Sequence, residues 1–153
     1  MGGYGAASGR VKDKCYYDSG NHKVTDKNAI IVAEKYIKEG KYVVFLQEKP
    51  NQHRADLSVD GVHTEVKGLT SLNSDNIEGK IKDAFIQIHG DDYKYPPEKR
   101  REGKVILLSN HDKSVSKEKI VKAMKKGYEI AKRKGEISGK IEIWVRDEII
   151  KLN

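Results

Sequence analysis

Arg54-Ala55-Asp56-Leu57-Ser58-Val59-Asp60-Gly61-Val62-His63-Thr64-Glu65-Val66-Lys67-Gly68 decides how this 153-residue chain folds. Asp60-Gly61 reads as a two-residue turn, because a type I′ turn needs φ > 0 at both central positions and Asp-Gly tolerates it. That turn sets Val59 opposite Val62, and counting outward sets Asp56 opposite Glu65. Side chains alternate with period two along a strand. Asp56, Ser58, His63, Glu65 and Lys67 therefore share one face, and Leu57, Val59, Val62 and Val66 share the other. One face is core. The other carries two carboxylates side by side with a lysine next to them.

Like charges opposite one another on a sheet repel, by about 0.2–1 kcal/mol. A divalent cation bridging the two carboxylates reverses that sign, since hard cations such as Mg²⁺ take carboxylate oxygens as ligands. The neighbouring lysine can then position a water or offset charge on a reacting phosphate. The plainer reading is a solvated strand face on which Lys67 neutralises Glu65, in a chain that is 35% charged. Glu-x-Lys alone does not discriminate, because it also occurs at Glu39-Gly-Lys41, Glu78-Gly-Lys80 and Glu102-Gly-Lys104. Those three have a central glycine and fall at turns or element edges. Only Glu65-Val66-Lys67 lies inside an alternating apolar strand with an aspartate nine positions earlier.

Upstream, Asp26 to Glu39 reads as a helix, with Thr25 or Asp26 as its cap and Gly40 as its left-handed end. Ile30, Ala33, Tyr36 and Ile37 have the spacing of a buried stripe. Glu34 falls between Ile30 and Ile37, either as a third carboxylate of the site or as a glutamate at the rim of the stripe. Lys41 to Gln47 is a strand by its β-branched and aromatic content.

Helix, strand, strand with Asp, strand with Glu-x-Lys, helix is a layout that resembles the PD-(D/E)xK nuclease superfamily, the restriction-endonuclease-like fold. The resemblance implies that Glu34, Asp56 and Glu65 bind a divalent metal, Mg²⁺ or alternatively Mn²⁺ or Zn²⁺, with Asp56, Glu65 and Lys67 catalytic. Ala55 stands where that family often has proline. The stretch Leu46-Gln-Glu-Lys-Pro-Asn-Gln-His-Arg-Ala-Asp56 through Gly68-Leu-Thr-Ser-Leu-Asn-Ser74 is more closely similar to the C-terminal tRNA-nuclease domains of contact-dependent growth inhibition and other polymorphic toxins. That similarity runs from about Thr25 to Asn110. It implies tRNA as substrate, delivery as part of a larger secreted toxin, action in the target-cell cytoplasm, and a cognate immunity protein.

Composition agrees with an anionic partner. Thirty Lys and Arg against 23 Asp and Glu give a net charge of +7, and phosphate neutralisation supplies most non-specific nucleic-acid affinity. An acidic inhibitor protein is the second partner this charge suits. A single cysteine, Cys15, excludes an internal disulfide and a cysteine-based zinc site. No apolar run reaches the length of a membrane helix, and no signal-peptide core follows Met1.

Residues 1–24, rich in glycine, read as a flexible lead-in or junction, and 25–153 as one nuclease-like domain. Beyond Lys67, Thr70, Ser71 and Asn73 lie in a loop whose hydroxyls and amide suit phosphate. Asp75 to His89 reads as a helix with Ile77, Ile81, Ala84, Phe85 and Ile88 buried, and Lys80 and Gln87 on one shoulder. Residues 90–103 form a charged insertion in which Lys99, Arg100 and Arg101 near Tyr93 and Tyr95 suit phosphate and base contacts. Lys104 to Ser109 is a buried strand. A helix opens at Ser114 or Ser116 and closes at Gly135. Lys140 to Arg146 is a last strand with Ile141, Ile143 and Val145 inward and Glu142, Trp144 and Arg146 on the polar face, where Trp144 is expected to meet another helix or the N-terminal segment.

The expectation is an α/β fold, a mixed sheet of roughly five strands with helices on both faces, in the order α-β-β-β-α-β-α-β. The function expected is a metal-dependent endonuclease acting on tRNA. The alternatives are a DNA endonuclease or junction resolvase with the same chemistry, a non-catalytic basic nucleic-acid-binding module, and a metal-independent ribonuclease working through His63 and Lys67.

Overall fold

Asp60 and Gly61 have φ of 49° and 87°, so both central positions of the hairpin turn are left-handed as Asp-Gly requires. Val59 pairs with Val62, Ser58 with His63 and Leu57 with Thr64, the register expected from that turn. The turn is also tied to the preceding strand. The Asp60 N–H donates to the Tyr42 carbonyl and the Tyr42 N–H donates to Asp60 Oδ1.

The computed structural model describes residues 8–12, 15–18, 24, 26–47 and 54–153. The strands are β1 (Ser8–Lys12), β2 (Cys15–Asp18), β3 (Tyr42–Phe45), β4 (Leu57–Val59), β5 (Val62–Leu69), β6 (Gly103–Ser109), β7 (Lys140–Val145) and β8 (Glu148–Lys151). The helices are α1 (Lys27–Lys38), α2 (Ser74–His89) and α3 (Lys117–Arg133). All eight strands join one mixed sheet in chain order. Pairs β2–β3, β5–β6 and β6–β7 are parallel and the other four antiparallel. From α1 to β7 the order is the expected α-β-β-β-α-β-α-β. Two additions enlarge the sheet: β8, and the β1–β2 hairpin inside the segment expected to be a lead-in.

Capping follows side-chain chemistry. Asp26 Oδ1 accepts from the N–H groups of Asn28 and Ala29, so Asp26 opens α1, while Thr25 lies outside the described residues. Asn73 and Ser116 do the same for α2 and α3. Gly40 and Gly135, with φ of 88° and 70°, follow α1 and α3 in the left-handed conformation.

Helices cover both faces of the sheet. On one, Ala29, Val32, Ala33, Tyr36 and Ile37 of α1 pack on Val43, Phe45, Leu57, Val59, Val66 and Ile106. On the other, the apolar stripes of α2 and α3 pack on Leu69, Val105, Leu107, Ile141, Ile143 and Val145. With both faces of β7 covered, the expected outward placement of Glu142 is corrected, while Trp144 meets another helix as expected. Trp144 is 4% exposed and meets Tyr36 of α1 edge-on, ring centroids 5.4 Å apart. Among the described residues no helix is long and apolar enough to cross a membrane.

Candidate active site

Asp56 sits one residue before β4, where the β4–β5 ladder ends, so its backbone and carboxylate are free to bond with the continuing strand β5. The Asp56 N–H donates to Glu65 Oε1 at 3.0 Å, and the Val66 N–H donates to Asp56 Oδ2 at 2.9 Å. Lys67 Nζ lies 3.2 Å from Glu65 Oε2, with the lysine side chain 21% exposed and the glutamate 6%. Asp56, Glu65 and Lys67 are thus brought together as the hairpin register requires, on the sheet face that carries α2.

The electrostatics are those of two anions short of counter-charge. Burial raises the pKa of Glu65, the charge of Asp56 raises it further, and Lys67 offsets this only in part, leaving it pushed up to about 9. Asp56 is also raised, chiefly by burial; the Val66 N–H and the Glu65 side chain oppose the rise, and the charge of Asp26 adds to it. Burial and the charge of Asp56 together favour the protonated form of Glu65.

Glu34 does not join the pair. The α1 stripe centres on Ala29, Ala33 and Tyr36, and at 100° per residue Glu34 lies about 140° around from Ala29. It is exposed on a helix packed against the opposite sheet face. Among the described residues no three His, Cys, Asp or Glu side chains converge as a metal-binding group. The carboxylate of α1 whose charge reaches Asp56 is its cap, Asp26. The sequence marked Asp26 as a cap, but nothing local linked it to a residue 30 positions away.

The donor set still suits a hard cation. Each carboxylate oxygen that accepts one hydrogen bond keeps a second lone pair. The N–H and C=O of one strand residue point to the same side, so the Val66 carbonyl turns toward Asp56 with its N–H. Two carboxylates of raised proton affinity and one carbonyl form a set that a divalent ion relieves.

The remaining expected residues divide. Asn73 is consumed as the cap of α2, and Ser71 Oγ accepts from the Asn73 N–H at 3.0 Å, so these two brace the loop after β5. His111 Nε2 hydrogen-bonds the Ser71 carbonyl at 2.9 Å, a brace the sequence did not signal. Thr70, Lys80 and Lys99 are exposed. Arg100 donates to the Tyr95 carbonyl and lies 4.5 Å over the Tyr93 ring, and Arg101 pairs with Asp92 at 3.0 Å. Tyr93 stacks on the buried His89, and Tyr95, 46% exposed, has Lys94 Nζ 5.5 Å over its ring. His63 is half-buried, its pKa lowered by burial and then by Arg101 and Arg54. Gln87 is half-buried on the shoulder of α2.

No family model, curated protein or solved structure matches this chain.

Proposed function

We propose that the chain is a metal-dependent endonuclease of the PD-(D/E)xK, restriction-endonuclease-like type, acting on tRNA as the toxic domain of a larger delivered protein. The observation that carries the reading is the Asp56–Glu65 pair, a half-buried and a buried carboxyl group tied to one another's strands by the Asp56 and Val66 N–H groups, with a single lysine 3.2 Å away. A structural ion pair needs one acid and one base. A second acid, placed so that the first is pushed up to about 9, is unfavourable for folding alone and useful for gathering a cation.

In this reading Asp56, Glu65 and the Val66 carbonyl would hold Mg²⁺, or Mn²⁺ or Zn²⁺. Bound there, such an ion would supply a water of lowered pKa and polarise the scissile phosphate. Lys67, 3.2 Å from Glu65, orients the attacking water and offsets the charge that gathers on the phosphoryl oxygens. Water adds to phosphorus as the P–O bond to the leaving nucleotide breaks, yielding a phosphate monoester and a free hydroxyl. Glu34 is left out of this ligand set. The net charge of +7 draws in the polyanion and equally suits an acidic immunity protein.

Incubation with total tRNA and, separately, plasmid DNA, each with Mg²⁺ and with EDTA, tests the reading. Discrete tRNA fragments in Mg²⁺ and intact RNA in EDTA are expected. Cutting confined to plasmid would move the substrate to DNA, and undiminished cutting in EDTA would discard the metal.

A further inference from the structure

The last helix meets the edge of the sheet along a groove that the chemistry above leaves unused. The buried stripe of α3 is Ile120, Met124, Gly127, Tyr128 and Ala131. Lys117, Val121 and Lys125 recur every four residues beside that stripe, so they form one row along the helix. With Glu118, Lys122 and Ile150 of β8 they line an open groove of about 400 Å³. Its floor is aliphatic, because Val121 and Ile150 pack on the core yet stay half-exposed. Its walls are basic, three lysines against one glutamate.

The three lysines are not equivalent. Lys117 donates to Glu148 Oε1 at 2.7 Å, which ties the first turn of α3 to the first residue of β8. Lys122 and Lys125 are exposed, and among the described residues neither has a carboxylate at salt-bridge distance. β8 is the last strand of the sheet, so no further described strand walls the groove in beyond Ile150. Glu65 lies on β5, three inter-strand steps of about 4.8 Å from β8. A segment seated in the groove therefore does not itself cover the carboxylate pair.

We propose that this groove docks a segment of an acidic partner protein, whose apolar side chains rest on Val121 and Ile150 and whose carboxylates meet Lys122 and Lys125. The inference stands apart from the nuclease reading. A second copy of this chain fits poorly, because it carries the same +7 and sets lysine against lysine. A nucleic acid answers the lysines, but its bases hold by stacking on aromatic rings, and this floor has none. A small ligand is held by enclosure, which an open groove does not give. A segment mixing apolar and acidic residues answers both floor and walls. Its apolar contact supplies the hold, and its charge supplies steering and selectivity.

Fluorescence anisotropy in EDTA with a short labelled peptide alternating glutamate and leucine tests the docking. A peptide alternating glutamate and serine and a single-stranded DNA of equal charge are the comparisons. Wild type is expected to hold the leucine peptide about tenfold or more tighter than either, and less tightly as salt rises. Lys122→Glu combined with Lys125→Glu changes only exposed side chains and should weaken the leucine peptide about tenfold or more. Lys27→Glu combined with Lys38→Glu, exposed on α1 across the sheet, removes the same charge and should leave binding near wild type. Val121→Ser, with its fold checked by thermal melting, should weaken the leucine peptide and spare the serine peptide. No binding of the leucine peptide, equal binding of the two peptides, or equal losses in the two charge variants overturns the docking site. DNA held tighter than the leucine peptide, and released by the α3 variant, overturns it too and assigns the face to nucleic acid. Cleavage enters none of these arms, so the nuclease reading stands or falls separately.

Discussion

Glu65 on β5 and Glu142 on β7 are both buried glutamates with a lysine at salt-bridge distance, 3.2 Å from Lys67 and 3.0 Å from Lys104. The difference lies in the remaining partners. Glu142 also accepts from the Trp144 indole N–H at 3.0 Å, and Lys104 donates in turn to the Tyr36 hydroxyl at 3.3 Å. Among the described residues the close polar partners of Glu142 are donors. Glu65 has one further donor, the Asp56 N–H, and then meets a second acid in the Asp56 side chain. One glutamate completes a polar network that joins α1 to the sheet. The other is left with a charge problem that packing has not solved, and chemistry is expected at the unsolved one.

The largest effect that can break this comparison is on cleavage. Asp56→Asn should take cutting of tRNA below detection, and Lys67→Ala should lower it roughly 10²–10³-fold, measured per folded molecule. Glu142→Ala should cut like wild type on the same basis. Equal losses in all three would mean that both glutamates are merely structural.

Stability should order the two glutamates the other way. Glu142→Ala strands Lys104 and the indole N–H without their acceptor, at roughly 1.5–3 kcal/mol, or about 5–10 °C in Tm. Glu65→Gln should raise Tm in EDTA, and by more as pH rises. The sign follows from the direction of the shift. Burial and Asp56 raise the Glu65 pKa from 4.5 to about 9 in the folded chain. Its contribution is therefore fully present below about pH 4.5 and is lost as pH climbs toward 9. Gln mimics the protonated acid and does not titrate. Thermal melts from pH 5 to 9 should show the variant and wild type converging at the acid end and separating by about 5 °C or more at the alkaline end. Parallel curves would remove the charge problem from Glu65.

How far the sequence showed this contrast depends on how local each feature is. The Asp56–Glu65–Lys67 constellation was legible because one Asp-Gly turn fixes the register of the hairpin, and period-two alternation then fixes the face. Glu34 was harder to place. Ile30 and Ile37 define a stripe in the sequence, but the smaller Ala29 and Ala33 sit deeper, and moving the centre of the stripe toward them turns Glu34 outward. Glu142 looked solvent-facing because alternation assumes one wet face, although the size of Trp144 beside it already called for a helix there. On β7 both faces lie under helices, and a polar side chain can be buried if its partners come from elsewhere, here Lys104 on β6 and Tyr36 on α1. Asp26 near Asp56, and His111 bracing Ser71, arise from contacts between distant segments that no window of sequence contains.

The smallest expected effect sharpens the comparison most directly, because it asks each glutamate whether it binds an ion. A cation that binds only the folded chain stabilises it by about 1.4 kcal/mol at ten times its Kd, a rise of about 3–5 °C in Tm. Mg²⁺ or Ca²⁺ titrated into wild type at pH 7.5 should give that rise, and Glu142→Ala, starting from its lower Tm, should climb by the same increment. Asp56→Asn should not respond, since one carboxylate with its own lysine offers a cation little net charge. The increment should also grow with pH, because binding displaces the proton Glu65 holds, and that proton leaves more readily as pH approaches 9. A rise in Asp56→Asn equal to that of wild type would place the ion elsewhere on the surface, and Asp56 beside Glu65 would lose its explanation.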